Sequence, residues 1–569
     1  MDTGIVPAML LVYGPRSMTY DFGPGHPLTP RRFGPGIDLL RSVGAAPGLA
    51  PEPADDEELS LCHERRYLEV VKRFSASPFG NDVAGIGEGG DDPPFAGMHE
   101  AGAMVAGGSL RALEAILRGA EEHAFHPGGG LHHAMPGRAS GFCIYNDPAI
   151  AIARAREAGL RVLYVDLDVH HGDGVQAIHW ADPAVLTLSI HETGRSLFPG
   201  TGAVGELGVG AAAATAVNVP LEPGTGDGAW REAVRTLLPE LAAAFGPDLV
   251  VSQHGADSHA WDPLAHLRVS TTAMGEAARL VDTVAHRYAS GRWLATGGGG
   301  YDVYRVVPRT WALTWLAGAH RDVPGATSPT WRDRWGSEAS RYGQAPLPMS
   351  FEDAPNAGLP IDAGQLAAES RSRETIALVR HLVVPRLLRE AYRRGWWDPL
   401  ASAASLSDGA SPDAASGRPE IVSVIDAATW SRVILVPGVI APADPVAAHR
   451  LILAAIRDGS IVSAGLVGAQ VVALAMAGPA AQDGGRDLLA LGVHPTHRRG
   501  GLAARLLAAS PARRAELTVA ERDPFEPLDV HARSAIARRL LVQAGFDVRS
   551  ADGAIGSADP TALVAMRPD

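Results

Sequence analysis

The sequence predicts an α/β fold in which helices cover both faces of a central parallel sheet, followed by a linker and a smaller second α/β unit. Short, continuous apolar runs alternate with helix-like segments from residue 1 to about residue 320. Such runs are typical of strands buried on both faces. Each run ends in a polar or glycine-rich turn, so we expect the functional residues at the carboxyl ends of the strands.

The individual elements follow from this alternation. Apolar runs predict strands at 161–166, 184–190, 248–252 and 292–296, and periodic segments predict helices at 149–158 and 228–244. Strands that alternate with helices imply parallel crossover connections. The pattern is irregular over 327–356 and becomes helical again over 364–392.

Length and composition limit the class of protein. The chain has 569 residues, enough for two to four domains, and its 46% hydrophobic and 20% charged residues are typical of a globular protein. A net charge of −13 argues against a nucleic-acid partner. Two cysteines are too few for a disulfide framework, which favours a cytoplasmic protein. We also expect no membrane partner, because no signal-like segment or long apolar run is present.

The second half of the chain contains a predicted domain boundary. Residues 399–419 are small, polar and low in complexity, which is typical of a linker. We therefore predict a first domain at 1–397, a flexible linker at 398–419 and a second domain at 420–569.

The strongest motif is DLDVHHGDG at 166–174, directly after a predicted strand. Alternate strand residues share a face, so Asp166, Asp168 and His170 point the same way as the strand ends. Their oxygen and nitrogen atoms suit zinc or a similar divalent ion. Taken alone, the segment is as typical of a polar strand end with capping aspartates as it is of a metal site.

Three further segments strengthen the metal-site interpretation. His132 and His133 are adjacent in a glycine-rich loop, as suits general acid–base work. Asp257 follows another strand, and Tyr301 follows four glycines at the end of a third. A phenol at that position can donate a hydrogen bond to a carbonyl oxygen.

Together these segments resemble the arginase/deacetylase superfamily, specifically its histone-deacetylase-like zinc amidohydrolases and their acetoin-utilisation branch. The resemblance spans 12–319, with a weaker extension to 397, and implies the arginase/deacetylase fold. The pattern of binuclear manganese arginases is not matched. By position, the implied zinc ligands are Asp168, His170 and Asp257, which leave coordination open for water and substrate. Iron(II) is the alternative metal in the cell.

The resemblance also implies the catalytic roles. His133 corresponds to the general base and Asp173 to the carboxylate that orients it. His132, backed by Asp166, corresponds to an electrostatic partner. Tyr301 corresponds to the group that polarises the acetyl carbonyl and stabilises the oxyanion.

Further residues match the family's substrate and potassium sites. Phe142 and Phe198 correspond to the aromatic walls of an acyl-lysine tunnel, Gly141 to a neighbouring backbone contact, and Asp91 to a rim aspartate that grips the substrate backbone. The implied structural potassium site is formed by Asp166, Asp168, His170, Ser189 and Ile190.

The second domain contains a strand–turn–helix pattern at 488–509. Arg498, Gly501 and Ala503 fit a pattern in which backbone N–H groups at a helix start hold a pyrophosphate. With a hairpin at 467–477 and a helix at 535–546, this region resembles the GNAT acetyltransferases. The resemblance implies acetyl-CoA contacts from Val493, Arg498, Arg499, Gly500, Gly501, Leu502 and Ala503.

The function of the second domain stays open between acetyl transfer and CoA-responsive regulation. Many GNAT enzymes have a tyrosine at the position of Leu541, and nothing in the sequence selects Glu516 or Glu521 as a base. A non-catalytic CoA sensor is the alternative.

For the whole chain we expect a zinc-dependent protein lysine deacetylase that hydrolyses N6-acetyl-lysine to lysine and acetate. The acetoin-utilisation resemblance suggests acetylated proteins such as acyl-CoA synthetases as partners, together with acetyl-CoA. The alternative substrates are small acetylated amines, as in acetylpolyamine amidohydrolases. A non-catalytic binding module is disfavoured by the complete set of metal and acid–base residues, and the oligomeric state is left open.

Overall fold

The computed structural model describes most of the first two thirds of the chain and parts of the remainder. The chain divides into two compact units, Met1–Val379 and Arg380–Asp569. The described residues are 9–353, 361–394, 396, 420–422, 425, 434–435, 452, 455–456, 459–467, 470–481, 486–493, 502–512, 514–518, 547–549 and 562–566.

The first unit is built on an eight-stranded sheet with the order β2-β1-β3-β8-β7-β4-β5-β6. All neighbouring strands are parallel. This arrangement confirms the predicted α/β class, and the four predicted strands are present within two residues at each end. The strands are β1 Leu10–Val12, β2 Pro47–Leu49, β3 His123–His126, β4 Val162–Asp166, β5 Val185–Glu192, β6 Ala216–Leu221, β7 Leu249–Gln253 and β8 Trp293–Thr296.

Helices lie between these strands along the chain and after β8. They are α1 Phe33–Ser42, α2 Asp56–Leu59, α3 Arg65–Ala76, α4 Met98–Leu117, α5 Asp147–Glu157, α6 Asp173–His179, α7 Asp227–Phe245, α8 Thr271–Tyr288, α9 Val307–Gly318, α10 Pro329–Arg341 and α11 Ala363–Arg393. The predicted helices at 149–158, 228–244 and 364–392 correspond to α5, α7 and α11. Within the described residues, none of the helices combines the length and apolar character that a membrane crossing requires.

Strand β4 shows how the fold positions the site. All five of its residues are buried. Val162 and Tyr164 join the core under α4 and α5, whereas Leu163 points to the opposite face, which α7 and α8 cover. At the carboxyl end, Asp166 lies between Ser189 of β5 and Gln253 of β7. The polar residues that follow these strands therefore meet at one edge.

Within 327–353, the described part of the region predicted to be irregular, the chain forms helix α10. Pro329 begins this helix, and the Ser328 side chain caps it by accepting a hydrogen bond from the Trp331 N–H group. Proline is favourable at the first helical position, where its missing N–H costs nothing. The Trp331 indole N–H donates to the Pro35 carbonyl, so tertiary packing also fixes the helix.

The second unit has a sheet with the order β15-β16-β14-β13-β12-β11-β9, and β10 pairs with β12. Strands β11 and β12 form an antiparallel pair. The hairpin predicted at 467–477 covers β12 and only the last residue of β11, and the predicted helix after 493 is α12. The elements are β9 Glu420–Val422, β10 Ile434–Leu435, β11 Ile461–Val467, β12 Gln470–Ala477, β13 Asp487–Val493, α12 Leu502–Ala509, β14 Arg514–Thr518, β15 Asp547–Arg549 and β16 Ala562–Met566.

Several predictions fall outside the described residues. These are the linker at 398–419, the segment 494–501 with Arg498, Arg499, Gly500 and Gly501, and the helix at 535–546 with Leu541. The boundaries at 397 and 420 accordingly stay predictions.

Candidate active site

Three side chains that can bind a metal converge at the carboxyl edge of the parallel sheet. Asp168 and His170 follow β4, and Asp257 follows β7. The His170 Nδ1 atom lies 3.0 Å from Asp168 Oδ1 and 3.3 Å from Asp257 Oδ2. The Asp257 Oδ2 atom is buried and has no hydrogen-bond partner. Two carboxylates and one imidazole around a shared point suit a divalent ion such as zinc and leave a coordination position open.

The charges of this group favour a bound cation. Burial opposes a charged imidazole, but hydrogen bonds and the negative charges of Asp168 and Asp257 raise the pKa of His170. Burial and the nearby charge of Asp168 raise the pKa of Asp257. Two buried carboxylates repel each other, and a cation between them relieves that repulsion.

Neighbouring groups hold the ligands in position. The Gln253 amide donates to Asp168 Oδ2 at 2.6 Å, and the Gly299 N–H group donates to the same oxygen at 2.8 Å. The Val169 N–H group donates to Asp257 Oδ1 at 3.0 Å. Sequence reasoning missed Gln253, although a polar residue that ends a buried strand beside two ligand-bearing segments could have indicated it.

Each of the two adjacent histidines is hydrogen-bonded to its own buried carboxylate. His132 Nδ1 lies 2.7 Å from Asp166 Oδ2, and His133 Nδ1 lies 2.7 Å from Asp173 Oδ1. The Nε2 atoms of the two rings are 3.0 Å apart. The structure therefore brings together both pairs that the sequence predicted. The Tyr164 hydroxyl, which the sequence did not indicate, donates to Asp166 Oδ2 at 2.8 Å.

The two histidines differ in protonation. Burial lowers the pKa of His132, but the charges of Asp166 and Asp168 outweigh it and raise that pKa to about 9. Burial and the positive charge of His132 lower the pKa of His133 to about 4, against the opposing effect of Asp173. At neutral pH His132 carries a charge and His133 is neutral, so His133 is able to accept a proton.

The loop that carries the histidine pair is fixed by buried polar residues at the start of α5. The Asp147 carboxylate accepts hydrogen bonds from the N–H groups of Gly130 and Leu131. The Asn146 amide donates to the carbonyl oxygens of His132 and Ala134. Asp147 and Asn146 are positioning residues that sequence reasoning did not single out. Their place at a helix start resembled ordinary capping.

Tyr301 forms another wall of the site. It is buried, and its N–H group donates to Asp262 Oδ2 at 2.8 Å. Burial and the negative charges of Asp257 and Asp168 raise the pKa of Tyr301 well above its ordinary value. The phenol therefore keeps its proton at neutral pH and can act as a hydrogen-bond donor.

Two aromatic rings lie beside His133 and Tyr301. Phe198 is 40% exposed, and its ring centroid lies 5.0 Å from that of His133. Phe142 packs edge-on at 6.0 Å from Tyr301. Gly141 has a φ of 55°, and a Cβ atom there would lie 2.6 Å from His133 Cδ2, so only glycine fits without displacement. Asp91 is exposed nearby, where its carbonyl oxygen lies 3.2 Å from His26 Nε2.

Asp166, the last residue of β4, is the cross-strand partner of Ser189, which lies within β5, and Ile190 is the next residue along β5. In the second unit, Val493 ends β13, and Leu502 and Ala503 begin α12.

Comparison with known proteins places this site in a family. Residues 26–317 match the Histone deacetylase domain family. The chain therefore belongs to the histone deacetylase family, whose fold implies a metal cofactor, typically zinc.

Particular relatives narrow this assignment. The acetoin utilization protein AcuC of Bacillus subtilis is 44% identical over 358 residues, which cover 62% of this chain and 92% of that protein. AcuC of Staphylococcus xylosus is 36% identical over 348 residues, covering 60% and 90%. The first unit is thus an AcuC-like deacetylase, and the predicted recognition of that branch is confirmed.

Two solved structures of HDAC homologues have a similar fold. A crystal structure of an HDAC homologue complexed with SAHA matches with a TM-score of 0.56 and 26% identity, covering 64% of this chain and 99% of that chain. An HDAC homologue from Aquifex aeolicus matches with a TM-score of 0.55 and 25% identity, covering the same shares.

Proposed function

We propose that the first unit is a zinc-dependent protein lysine deacetylase that hydrolyses N6-acetyl-lysine to lysine and acetate. The observation that carries this proposal is the pair of histidine–carboxylate contacts, His132–Asp166 and His133–Asp173, beside the ligand set that includes Asp257. Zinc, when bound there, supplies Lewis-acid activation of the substrate carbonyl and of water.

Each residue has a defined task in this proposal. His133, neutral and oriented by Asp173, accepts the proton of the attacking water. His132 remains charged against Asp166 and stabilises the negative charge that develops beside it. Tyr301 donates a hydrogen bond to the acetyl oxygen as that oxygen becomes an oxyanion. The amine then leaves with a proton returned from the histidine pair.

The entrance suits an acylated lysine side chain. Phe142 and Phe198 offer apolar surfaces to the uncharged methylene chain, and Gly141 allows the chain to pass close to His133. Asp91, exposed at the rim, would accept hydrogen bonds from the backbone N–H groups of a peptide. A protein substrate uses this rim contact, whereas a small acetylated amine has no backbone to offer it.

The substrate class is tested with zinc-loaded full-length protein. We expect kcat/KM for an acetyl-lysine peptide to exceed that for N-acetylputrescine. Asp91→Asn should raise KM for the peptide and leave KM for N-acetylputrescine unchanged. A higher kcat/KM for N-acetylputrescine, together with no effect of Asp91→Asn on the peptide, would replace the protein-substrate proposal with the small-amine one.

Acetylated acyl-CoA synthetases are the proposed protein partners, by analogy with the acetoin-utilization relatives, and the proposed compartment is the cytoplasm. The two cysteines, Cys62 and Cys143, are both buried and free, as suits a reducing compartment. We also propose a structural potassium ion between the end of β4 and the neighbouring part of β5, bound by Asp166, Asp168, His170, Ser189 and Ile190. At the catalytic site we propose zinc rather than iron(II). Metal analysis of protein purified without oxygen tests this choice.

For the second unit we propose a GNAT-like domain that binds acetyl-CoA and regulates the deacetylase. Strands β13 and β14 are parallel and joined through α12, and their residue pairs within the described strands are Asp487–Arg514 and Leu488–Ala515 only. The carboxyl-terminal halves of the two strands therefore do not pair with each other. The pattern from Arg498 to Ala503 falls between β13 and the body of α12, where a pyrophosphate would meet a helix start.

Calorimetric titration of the full chain with acetyl-CoA tests this second proposal. We expect binding that Arg498→Ala weakens at least about tenfold, since a charged phosphate contact is lost. Arg505→Ala, a change on the exposed side of α12, is the matched control and should bind normally. Absence of binding, or equal binding by both variants, would contradict it. Acetylation of an added amine by the full chain would assign transfer instead of regulation.

A further inference from the structure

A second group of metal-ligating side chains lies at the opposite edge of the parallel sheet from the active site. His123 begins β3, Asp282 and His286 lie one turn apart on α8, and His320 follows the end of α9. Because the strands are parallel, the amino end of β3 faces away from the carboxyl edge that carries the catalytic residues. One ligand atom from each of the four residues lies within 4.8 Å of the other three.

The separations within this group match a tetrahedral metal site. His320 Nε2 lies 3.1 Å from both Asp282 Oδ1 and His286 Nε2. His123 Nε2 and His286 Nε2 each lie 3.5 Å from Asp282 Oδ1. Metal–ligand bonds of about 2.0–2.1 Å place tetrahedral ligand atoms about 3.3 Å apart. Four of the six separations are therefore close to this value, and the two that join His123 to the other histidines are within 4.8 Å.

Hydrogen bonding alone does not account for the position of His123. Its Nδ1 atom lies 2.8 Å from the Gly318 carbonyl, which only accepts, so Nδ1 carries the proton. The neutral ring then directs a lone pair from Nε2 toward Asp282 Oδ1, which is also an acceptor. The residue is 2% exposed, and Nε2 has no hydrogen-bond partner.

A metal ion would resolve this contact between two acceptors. A histidine that donates from Nδ1 to a backbone carbonyl has its other nitrogen oriented for a metal. The His123 ring is further held edge-on against Trp293, at 5.6 Å. The other two imidazoles are 39% and 33% exposed, so an ion has a path from solvent.

We propose that His123, Asp282, His286 and His320 form a second binding site for a divalent transition metal, with zinc as the best match. Three imidazoles and one carboxylate are a ligand set that zinc favours. Four protein ligands leave no open position for substrate, which makes the site structural. A bound ion would connect β3, α8 and the turn after α9, and would stabilise the folded state in proportion to its affinity and concentration.

Metal content measured by mass spectrometry tests the stoichiometry. The probe is ZnSO4, added to chelator-treated full-length protein and followed by removal of free ion. We expect two zinc ions per wild-type chain and one in His286→Gln or His320→Asn. Asparagine is chosen at 320 because the residue has a φ of 51°, which asparagine tolerates. His266→Gln, at an exposed histidine outside the group, is the matched control and should keep two.

Thermal unfolding supplies a readout that is independent of activity. Zinc should raise the Tm of Asp257→Asn, which has lost a catalytic ligand but retains the second site. The double variant Asp257→Asn/His286→Gln should lose that zinc-dependent rise. Equal zinc content in wild type and His286→Gln, or the same zinc-dependent Tm rise with and without His286, would overturn the proposal. Neither outcome depends on whether the protein deacetylates lysine.

Discussion

The two edges of the parallel sheet each gather histidine and aspartate side chains, but with different geometries. At the carboxyl edge, Asp168, His170 and Asp257 are all on loops that follow strands, and all three are buried. At the amino edge, two of the four grouped residues lie on one helix, and only His123 is buried, since Asp282 is half-buried and both other histidines are exposed. The first arrangement leaves a coordination position open, and the second closes it.

This difference shows how one sheet can carry a metal site suited to catalysis at one edge and a metal site suited to stabilising the fold at the other. Loops after parallel strands converge, so they bring groups from distant segments around a substrate. Helix α8 instead presents Asp282 and His286 at positions i and i+4, which share one face. A metal ion bound by residues on a helix and at element ends connects those elements, and four protein ligands leave no coordination position for a substrate.

The largest expected effect comes from removing one ligand at each edge. Asp257→Asn should lower kcat/KM for an acetyl-lysine peptide at least about a thousandfold, because an essential metal ligand is lost. His286→Gln, the matched change at the amino edge, should leave turnover within about twofold at 25 °C and lower the Tm. Steady-state kinetics with zinc-loaded protein measures both. A loss of turnover in His286→Gln equal to that in Asp257→Asn would remove the distinction between the edges.

A smaller effect is expected from the oxyanion donor. Tyr301→Phe should reduce kcat about 100- to 1000-fold, as when one donor to an oxyanion is deleted, with little change in KM. The zinc content should stay at the wild-type value, since the phenol is not among the proposed ligands. A large rise in KM with an unchanged kcat would instead assign Tyr301 to substrate binding.

We expect a still smaller effect from removing the Phe198 ring, which packs against His133. Phe198→Ala removes an exposed apolar wall and should raise KM for an acetyl-lysine peptide about 3- to 20-fold, with a smaller change in kcat. Phe198→Tyr keeps the ring and serves as the control. An unchanged KM in Phe198→Ala would mean that the ring packs against His133 without touching the substrate.

Acid should destabilise the protein through histidines that belong to neither edge. Burial lowers the pKa of both His63 and His179 to about 4. The unfolded chain takes up these protons near pH 6.5, whereas the folded chain does so only near pH 4. Stability is therefore full above about pH 6.5 and falls as the pH drops toward 4, by about 1 kcal/mol per histidine and pH unit.

Chemical denaturation between pH 7 and 4.5 measures this slope. His179→Gln keeps an N–H donor near the Ala149 carbonyl, which His179 Nε2 approaches at 3.2 Å, and should reduce the slope. An unchanged slope in that variant would contradict the assigned role.

The sequence predicted well the part of the carboxyl edge that follows β4, because these residues are clustered along the chain. Asp166, Asp168, His170 and Asp173 lie within eight residues after a recognisable strand, and strand alternation alone gives three of them a common face. Four of the eight strands of the first unit, β4, β5, β7 and β8, were predicted within two residues from their own local pattern. Their continuous apolar runs leave little ambiguity.

Other residues of the same site were not predicted. Gln253 and Asn146 are common polar residues at strand and helix ends, and only their contacts with Asp168 and the histidine loop give them a role. Helix α10 was missed because its proline and serine, which begin and cap it, have the composition of a loop.

The sequence by itself determined the α/β class, the parallel strands and the cluster of aspartate and histidine residues after β4, since these depend on local periodicity and on residues that are close along the chain. Only the tertiary structure decided the amino-edge group. His123, Asp282 and His320 come from three separate parts of the chain, and no spacing connects them. They meet because β3, α8 and α9 pack side by side, and packing between distant segments is not encoded in any local pattern.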